Sequence, residues 1–192
     1  MLIIIVIAVF LAIGALLIRQ QNNQSSNIFD DIYRDEIQYL SSGDKSQLKL
    51  LKIKGADLVT EKESSDFQAG SVMVVYQSQK FPENSNLNII ANKNQTLTLD
   101  YEEKLGDDVQ LSLTANYDVK KKTLTRKIKL FDYNSEKVVV PESDFEQYGL
   151  TKAKIKEKFT LAEESFLKDW LEVSEGRFSL KDRGQVMVLK DW

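Results

Sequence analysis

From Leu48 to Val140 apolar and polar residues alternate with a period of two, and turn-forming residues break the alternation every eight to twelve positions. Successive side chains of a strand point to opposite sides, so such a stretch folds as antiparallel strands joined by hairpins, one face apolar and the other polar. The spacing predicts strands at Leu48 to Lys54, Ala56 to Lys62, Ser71 to Ser78, Leu87 to Asn92, Thr96 to Glu103, Val109 to Asp118, Thr123 to Asp132 and Lys137 to Val140. A last strand is expected at Gln185 to Lys190.

Loop lengths fix how these strands align, because a slip of one residue would turn every apolar side chain into water. A four-residue loop, Val119 to Lys122, sets Asp118 opposite Thr123, Tyr117 opposite Leu124, Leu113 opposite Ile128 and Leu111 opposite Leu130. A five-residue loop, Lys104 to Asp108 with Gly106 for the turn, pairs Tyr101 with Leu111, Leu99 with Leu113 and Leu97 with Ala115. Lys93, Asn94 and Gln95 form a three-residue loop with Asn94 as the left-handed residue, which places Ile89 beside Leu99 and Leu87 beside Tyr101.

On the polar face this register lines up Asn88, Asp100, Ser112 and Lys129, and next to them Ile90, Thr98, Thr114 and Lys127, with Glu102 and Gln110 at the end. Antiparallel sheets often leave one face merely solvated. A twisted sheet bearing both charge signs among hydrogen-bonding side chains is also a surface for a protein partner, and Asn88, Thr98, Asp100, Glu102, Gln110, Ser112, Thr114, Lys127 and Lys129 are its candidate contact residues.

The apolar face needs a cover, and two helical patterns supply it. Asn27 can cap a helix whose Phe29, Ile32, Tyr33, Ile37 and Leu40 share one face, ending at Ser41, Ser42 and Gly43. Its acidic residues Asp30, Asp31, Asp35 and Glu36 lack calcium-loop spacing and read as a solvated face. After Pro141 a short turn spans Ser143 to Gly149, and Thr151 caps a longer helix carrying Ile155, Phe159, Ala162, Phe166, Trp170 and Val173, ended by Gly176. The fold class is α+β.

Leu2 to Ile18 is a run of seventeen residues without a charge, closed by Arg19. At about 1.5 Å per residue its helix just reaches across a bilayer core. Residues 1–19 therefore read as an N-terminal transmembrane helix, 20–26 (QQNNQSS) as a polar linker and 27–192 as a single domain held outside the membrane. A cleaved signal peptide, with Ala12 and Gly14 as the cleavage pair, is the rival reading. No Lys or Arg precedes the run, so the charge rule for orientation gives the outside location no support.

The chain has no His and no Cys, which removes imidazole catalysis, thiol nucleophiles, disulfides and the common zinc sites. Its 26 basic against 29 acidic residues, a formal charge of −3, give no general attraction to nucleic acid or to anionic lipid. There is no phosphate-binding glycine loop and no nucleophile elbow. A hydrolase built on two carboxylates remains conceivable, but Asp107 and Asp108 beside Gly106 are explained by turn chemistry. No cofactor and no metal are expected, and the chain reads as a binding protein rather than an enzyme.

Three segments, NIFDDIYRDE (Asn27 to Glu36), TLTRKIKL (Thr123 to Leu130) and FLKDWLEVSEGRFSLKDRGQV (Phe166 to Val186), together resemble the TipC family of immunity proteins. These belong to Gram-positive bacteria that secrete LXG polymorphic toxins through a type VII system. The resemblance runs through most of the chain in order, on structural strings rather than an active-site signature. It implies a single-pass cell-membrane protein with an extracytoplasmic α+β domain that binds a cognate toxin, a TelC-like phosphatase attacking lipid II outside the membrane. It marks no toxin-contacting residue, so the sheet-face candidates rest on the register alone. The alternative is a membrane-anchored exported ligand-binding or envelope-structural protein without a toxin partner.

Overall fold

The computed structural model describes residues 28–60 and 70–174. Helix α1 (Ile28–Ser42) carries Asp30 and Asp31 in its first turn, where the helix dipole favours negative charge. It stops at Gly43, whose left-handed backbone (φ 68°) lets its N–H donate to the Tyr39 carbonyl at 2.7 Å. The proposed cap Asn27 lies outside the described residues, as do the apolar run, the linker and the strand expected at Gln185 to Lys190.

Two 3-10 turns, Lys45–Gln47 and Lys49–Lys52, stand where a strand was expected from Leu48 to Lys54. Asp44 accepts from the Ser46 N–H at 2.9 Å and starts the first turn, and the Asp35 carboxylate of α1 accepts from the Lys49 N–H at 2.6 Å. These local bonds take the place of ladder bonds, and Leu48, Leu50 and Ile53 become buried without strict alternation.

Six strands follow: β1 (Ala56–Val59), β2 (Ser71–Tyr76), β3 (Ser85–Asn92), β4 (Thr96–Lys104), β5 (Val109–Asp118) and β6 (Thr123–Asp132). They form one antiparallel meander in sequence order. β1 ends at Val59, short of Lys62, and residues 61–69 are not described. No strand forms at Lys137 to Val140, where a single bridge joins Phe131 and Val139. Pro141 follows immediately and has no N–H with which to extend the ladder.

The β5–β6 pairing is the expected one, Asp118 opposite Thr123 through Leu111 opposite Leu130, and β3–β4 sets Ile89 beside Leu99. The β4–β5 register differs by two residues. Tyr101 pairs with Leu113, Leu99 with Ala115 and Leu97 with Tyr117. The ladder runs further into the turn than a five-residue loop from Lys104 allows: Lys104 still pairs with Gln110, and the Leu105 N–H donates to the Val109 carbonyl at 2.8 Å. A shift of two preserves which face each side chain occupies, so the pattern survives while the cross-strand neighbours change. The left-handed residue of the β3–β4 turn is Gln95 (φ 66°), not Asn94.

After a 3-10 segment (Glu142–Tyr148) closed by left-handed Gly149, helix α2 (Lys152–Val173) begins with Thr151 Oγ1 accepting from the Lys154 N–H at 3.3 Å. It ends at Val173 with the Ser174 N–H on the Trp170 carbonyl, before Gly176, which lies outside the described residues. Both helices pack on one face of the sheet. Ile28, Phe29 and Ile32 of α1 and Ile155, Phe159, Ala162, Phe166 and Trp170 of α2 are buried there against Tyr76, Leu87, Ile89, Leu99, Tyr101, Leu113 and Tyr117. Ring contacts at 5.3 to 5.6 Å join Phe29 to Tyr117, Tyr76 to Phe81 and Phe166, and Phe81 to Tyr101. Each such side chain contributes about 1.5–3 kcal/mol of burial, which makes this layer the source of the fold's stability.

The acidic residues of α1 are not the solvated face expected of them. Asp31, Asp35 and Glu36 are buried, and Glu36 is 0% exposed. The 3-10 turns close over this side of the helix, with Asp35 bonded to Lys49 and Asp31 paired with Arg34 at 3.2 Å. Neither carboxyl oxygen of Glu36 has a hydrogen-bond partner among the described residues, and burial beside Asp35 pushes its pKa well above the usual range. Among the described residues no helix is long and apolar enough to cross a membrane.

Candidate partner-binding site

The face of the sheet opposite the helices holds all nine candidate residues. With the observed register, Asn88, Asp100, Thr114 and Lys127 form one row across β3 to β6. The next row is Asn86, Glu102, Ser112 and Lys129, and the row on the other side is Ile90, Thr98, Asn116 and Thr125. The expected rows, which joined Asp100 to Ser112 and Thr98 to Thr114, are corrected by the two-residue shift between β4 and β5.

Within these rows the polar side chains are tied to one another. Asp100 Oδ1 accepts from Ser112 Oγ at 2.9 Å and from Thr114 Oγ1 at 3.1 Å. Asn88 Nδ2 donates to Glu102 Oε2 at 3.2 Å and its own Oδ1 accepts from Asn86 Nδ2 at 2.8 Å. Thr98 Oγ1 reaches Asn116 Oδ1 at 3.4 Å, and Gln110 Oε1 accepts from the Tyr133 hydroxyl at 3.2 Å. Burial raises the pKa of Asp100, against the opposing pull of Ser112, Thr114 and the nearby Lys129. Ser112, at 7% exposure between Glu102 and Lys129, is too enclosed to offer a partner much area, and its contribution is to hold Asp100.

Lys127 and Lys129 behave differently. Both are exposed on β6, on the same side of the strand, and neither has a carboxylate within ion-pair distance among the described residues. The result is a rigid surface on which two free ammonium groups border a braced carboxylate row. Toward β1 and β2 the face becomes apolar through half-buried Ile90, Met73, Val75 and Val59. Asn86, Met73 and Val75 were missed as members of this face, although strand parity alone assigns them to it.

Among the described residues no three metal-ligating side chains come together. An open cleft of about 720 Å³ near the end of α2 is lined by Tyr76, Asp169, Glu172 and the lysines Lys52, Lys54 and Lys80. Its Asp169 accepts a hydrogen bond from the Tyr76 hydroxyl.

A family model described as "TipC immunity protein-like" matches residues 1–191. The fold is similar to the solved structure of TipC2 from Streptococcus intermedius, with a TM-score of 0.64 at 23% sequence identity, covering 83% of this chain and 93% of that one. No curated protein shows significant sequence similarity to the chain.

Proposed function

The chain belongs to the TipC immunity protein-like family, whose members act as inhibitors and not as enzymes, and from that premise we propose how it protects. It binds a cognate secreted LXG toxin, a TelC-like phosphatase acting on lipid II, at the outer face of the cell membrane. The open face of the sheet covers the toxin's active site, and the run from Leu2 to Ile18 moors the inhibitor as a single-pass membrane protein. No turnover is needed for this, only a surface that docks with a slow off-rate. Mooring raises the local concentration of inhibitor where the toxin works.

The observation that carries this reading is the pair of exposed lysines Lys127 and Lys129, without an ion-pair partner among the described residues, on a sheet whose neighbouring polar groups are already braced. The strand backbone beneath them is already ordered, so docking costs only the fixing of each lysine side chain, about 0.5–1.5 kcal/mol, when a partner supplies the missing carboxylates.

The test is the full chain carrying Lys127→Glu and Lys129→Glu, titrated against the catalytic domain of the candidate toxin. Affinity is expected to fall about ten- to a hundred-fold, with much of the loss in the association rate. Unchanged affinity and full protection of sensitive cells would remove the sheet face from the proposal.

A further inference from the structure

The net charge of −3 conceals an uneven distribution. In a meander the turns gather at two ends, and the β3–β4 and β5–β6 turns share one of them. Their tips are bound together, since the Val119 N–H donates to the Gln95 carbonyl at 2.9 Å. This joined tip carries Lys93, Lys120, Lys121 and Lys122, all exposed. Among the described residues two carboxylates oppose them, Asp118 and Asp30. Asp118 accepts from the Lys120 and Lys121 backbone N–H groups at 3.0 and 2.8 Å and pairs with the exposed Lys121 Nζ at 3.3 Å, and Asp30 takes the Tyr117 hydroxyl at 3.1 Å together with Lys122 Nζ at 2.6 Å. Lys93 and Lys120 have no carboxylate partner among the described residues. At the opposite end the turns, the approach to β1 and the segment after β6 carry Glu83, Asp107, Asp108, Asp132 and Glu136 against Lys52, Lys54, Lys80, Lys104 and Lys137, so the charges there balance.

The basic end is also where the chain enters the domain. The first two turns of α1 are fastened to both tips, through Asp30 to Lys122 and through the Tyr33 hydroxyl to the Asn92 carbonyl at 2.9 Å. Residues 20–26 lie between the apolar run and this point, and seven residues span at most about 25 Å. A coil of that length averages about 15 Å, so lysines at this end come within a Debye length or two of whatever surface holds the run.

We infer that the joined tips of the β3–β4 and β5–β6 turns, through Lys93, Lys120 and Lys121, dock on the anionic headgroups of the membrane that carries the protein. The contact orients the domain, basic end down, and lifts the opposite end away from the bilayer. The inference rests on the proposed mooring by Leu2 to Ile18. A headgroup contact of this kind is worth about fivefold in contact probability for each lysine and fades with salt.

The absence of Cys permits a clean test on the full chain. One spin label is placed at Asn94→Cys on the basic tip, and another at Gly106→Cys, where an added side chain meets open space. Each protein is reconstituted in vesicles of phosphatidylcholine alone or with about one third phosphatidylglycerol, and relaxation by a nickel-chelating lipid is recorded. The expected result is strong relaxation at position 94 only with the anionic lipid, loss of it in Lys93→Glu/Lys120→Glu/Lys121→Glu and in high salt, and none at position 106. A chain that floats with both vesicle types but shows no lipid dependence at position 94 overturns the lysine contact and leaves the mooring intact. A chain that floats with neither removes the mooring, and the contact with it.

Discussion

Arg126 and Lys127 are neighbours on β6, yet the two faces of the sheet treat them in opposite ways. Arg126 points to the helix side, where its Nε and Nη2 meet Glu163 of α2 at 2.9 Å each, with the side chains 12% and 3% exposed. Lys127 points to the open side and meets no carboxylate among the described residues. The helix side repeats the rule with Lys158 on Glu103 at 2.6 Å. A charge taken out of water must be neutralised in place or the fold loses stability. A charge left in water with no partner answers no structural need. The comparison therefore separates charges that the fold requires from charges available to a second molecule.

The largest effect expected is at the inner pair. Arg126→Met leaves Glu163 buried beside an apolar side chain, and stability should fall by about 3–5 kcal/mol in denaturant unfolding. The double variant Arg126→Met/Glu163→Leu should recover most of that loss. A drop of under about 1 kcal/mol for the single variant would break the comparison, since inner charges would then tolerate loss of their partner as outer ones do.

Glu36 sharpens it, as an enclosed acid with no donor. Its folded pKa lies above its unfolded value, so the folded form holds the proton more tightly. Its contribution is fully favourable below the unfolded pKa and is lost as pH rises toward the folded one. Wild type should thus lose stability relative to Glu36→Gln at up to about 1.4 kcal/mol per pH unit above about pH 5. Parallel stability curves from acid to neutral pH would mean that Glu36 is charged and paired. Asp100 on the open face is the milder case, because Ser112, Thr114 and Lys129 offset part of its desolvation. The Asp100→Asn curve should diverge from wild type with the same sign and a shallower slope.

How much of this could be read from the chain depends on whether the signal is periodic or local. Period-two alternation placed β5 and β6 at their observed limits and assigned every candidate residue to the correct face, because face depends only on parity. Register between β4 and β5 depends on one turn, and there the Leu105 to Val109 bond extended the ladder by two residues. The Leu48 segment reads as a strand, but Asp35, from outside it, captures the Lys49 N–H, and Asp44 starts the turn just before it at Ser46. The burial of Asp31, Asp35 and Glu36 is likewise tertiary: helix spacing put them beside the apolar stripe but could not show that the following turns close over them. That Lys127 and Lys129 have no ion-pair partner among the described residues was not legible either, since a sequence records charges and not their distances.

The smallest effect on stability is expected where the largest effect on binding is placed. Lys127→Ser/Lys129→Ser removes two exposed ammonium groups with no ion pair to lose, so the unfolding free energy should move by less than about 0.5 kcal/mol. Each serine also gives up the strand-covering stem of a lysine, which sets that small residual cost. Compared with Arg126→Met, on the same strand, this isolates partner from fold. If the outer double variant unfolds as readily as the inner single one, Lys127 and Lys129 serve the sheet itself, and weakened toxin binding in their variants would report only an unfolded inhibitor. If it stays folded while toxin binding falls, the loss belongs to the surface, and the outward half of β6 is set apart from the inward half by function as well as by direction.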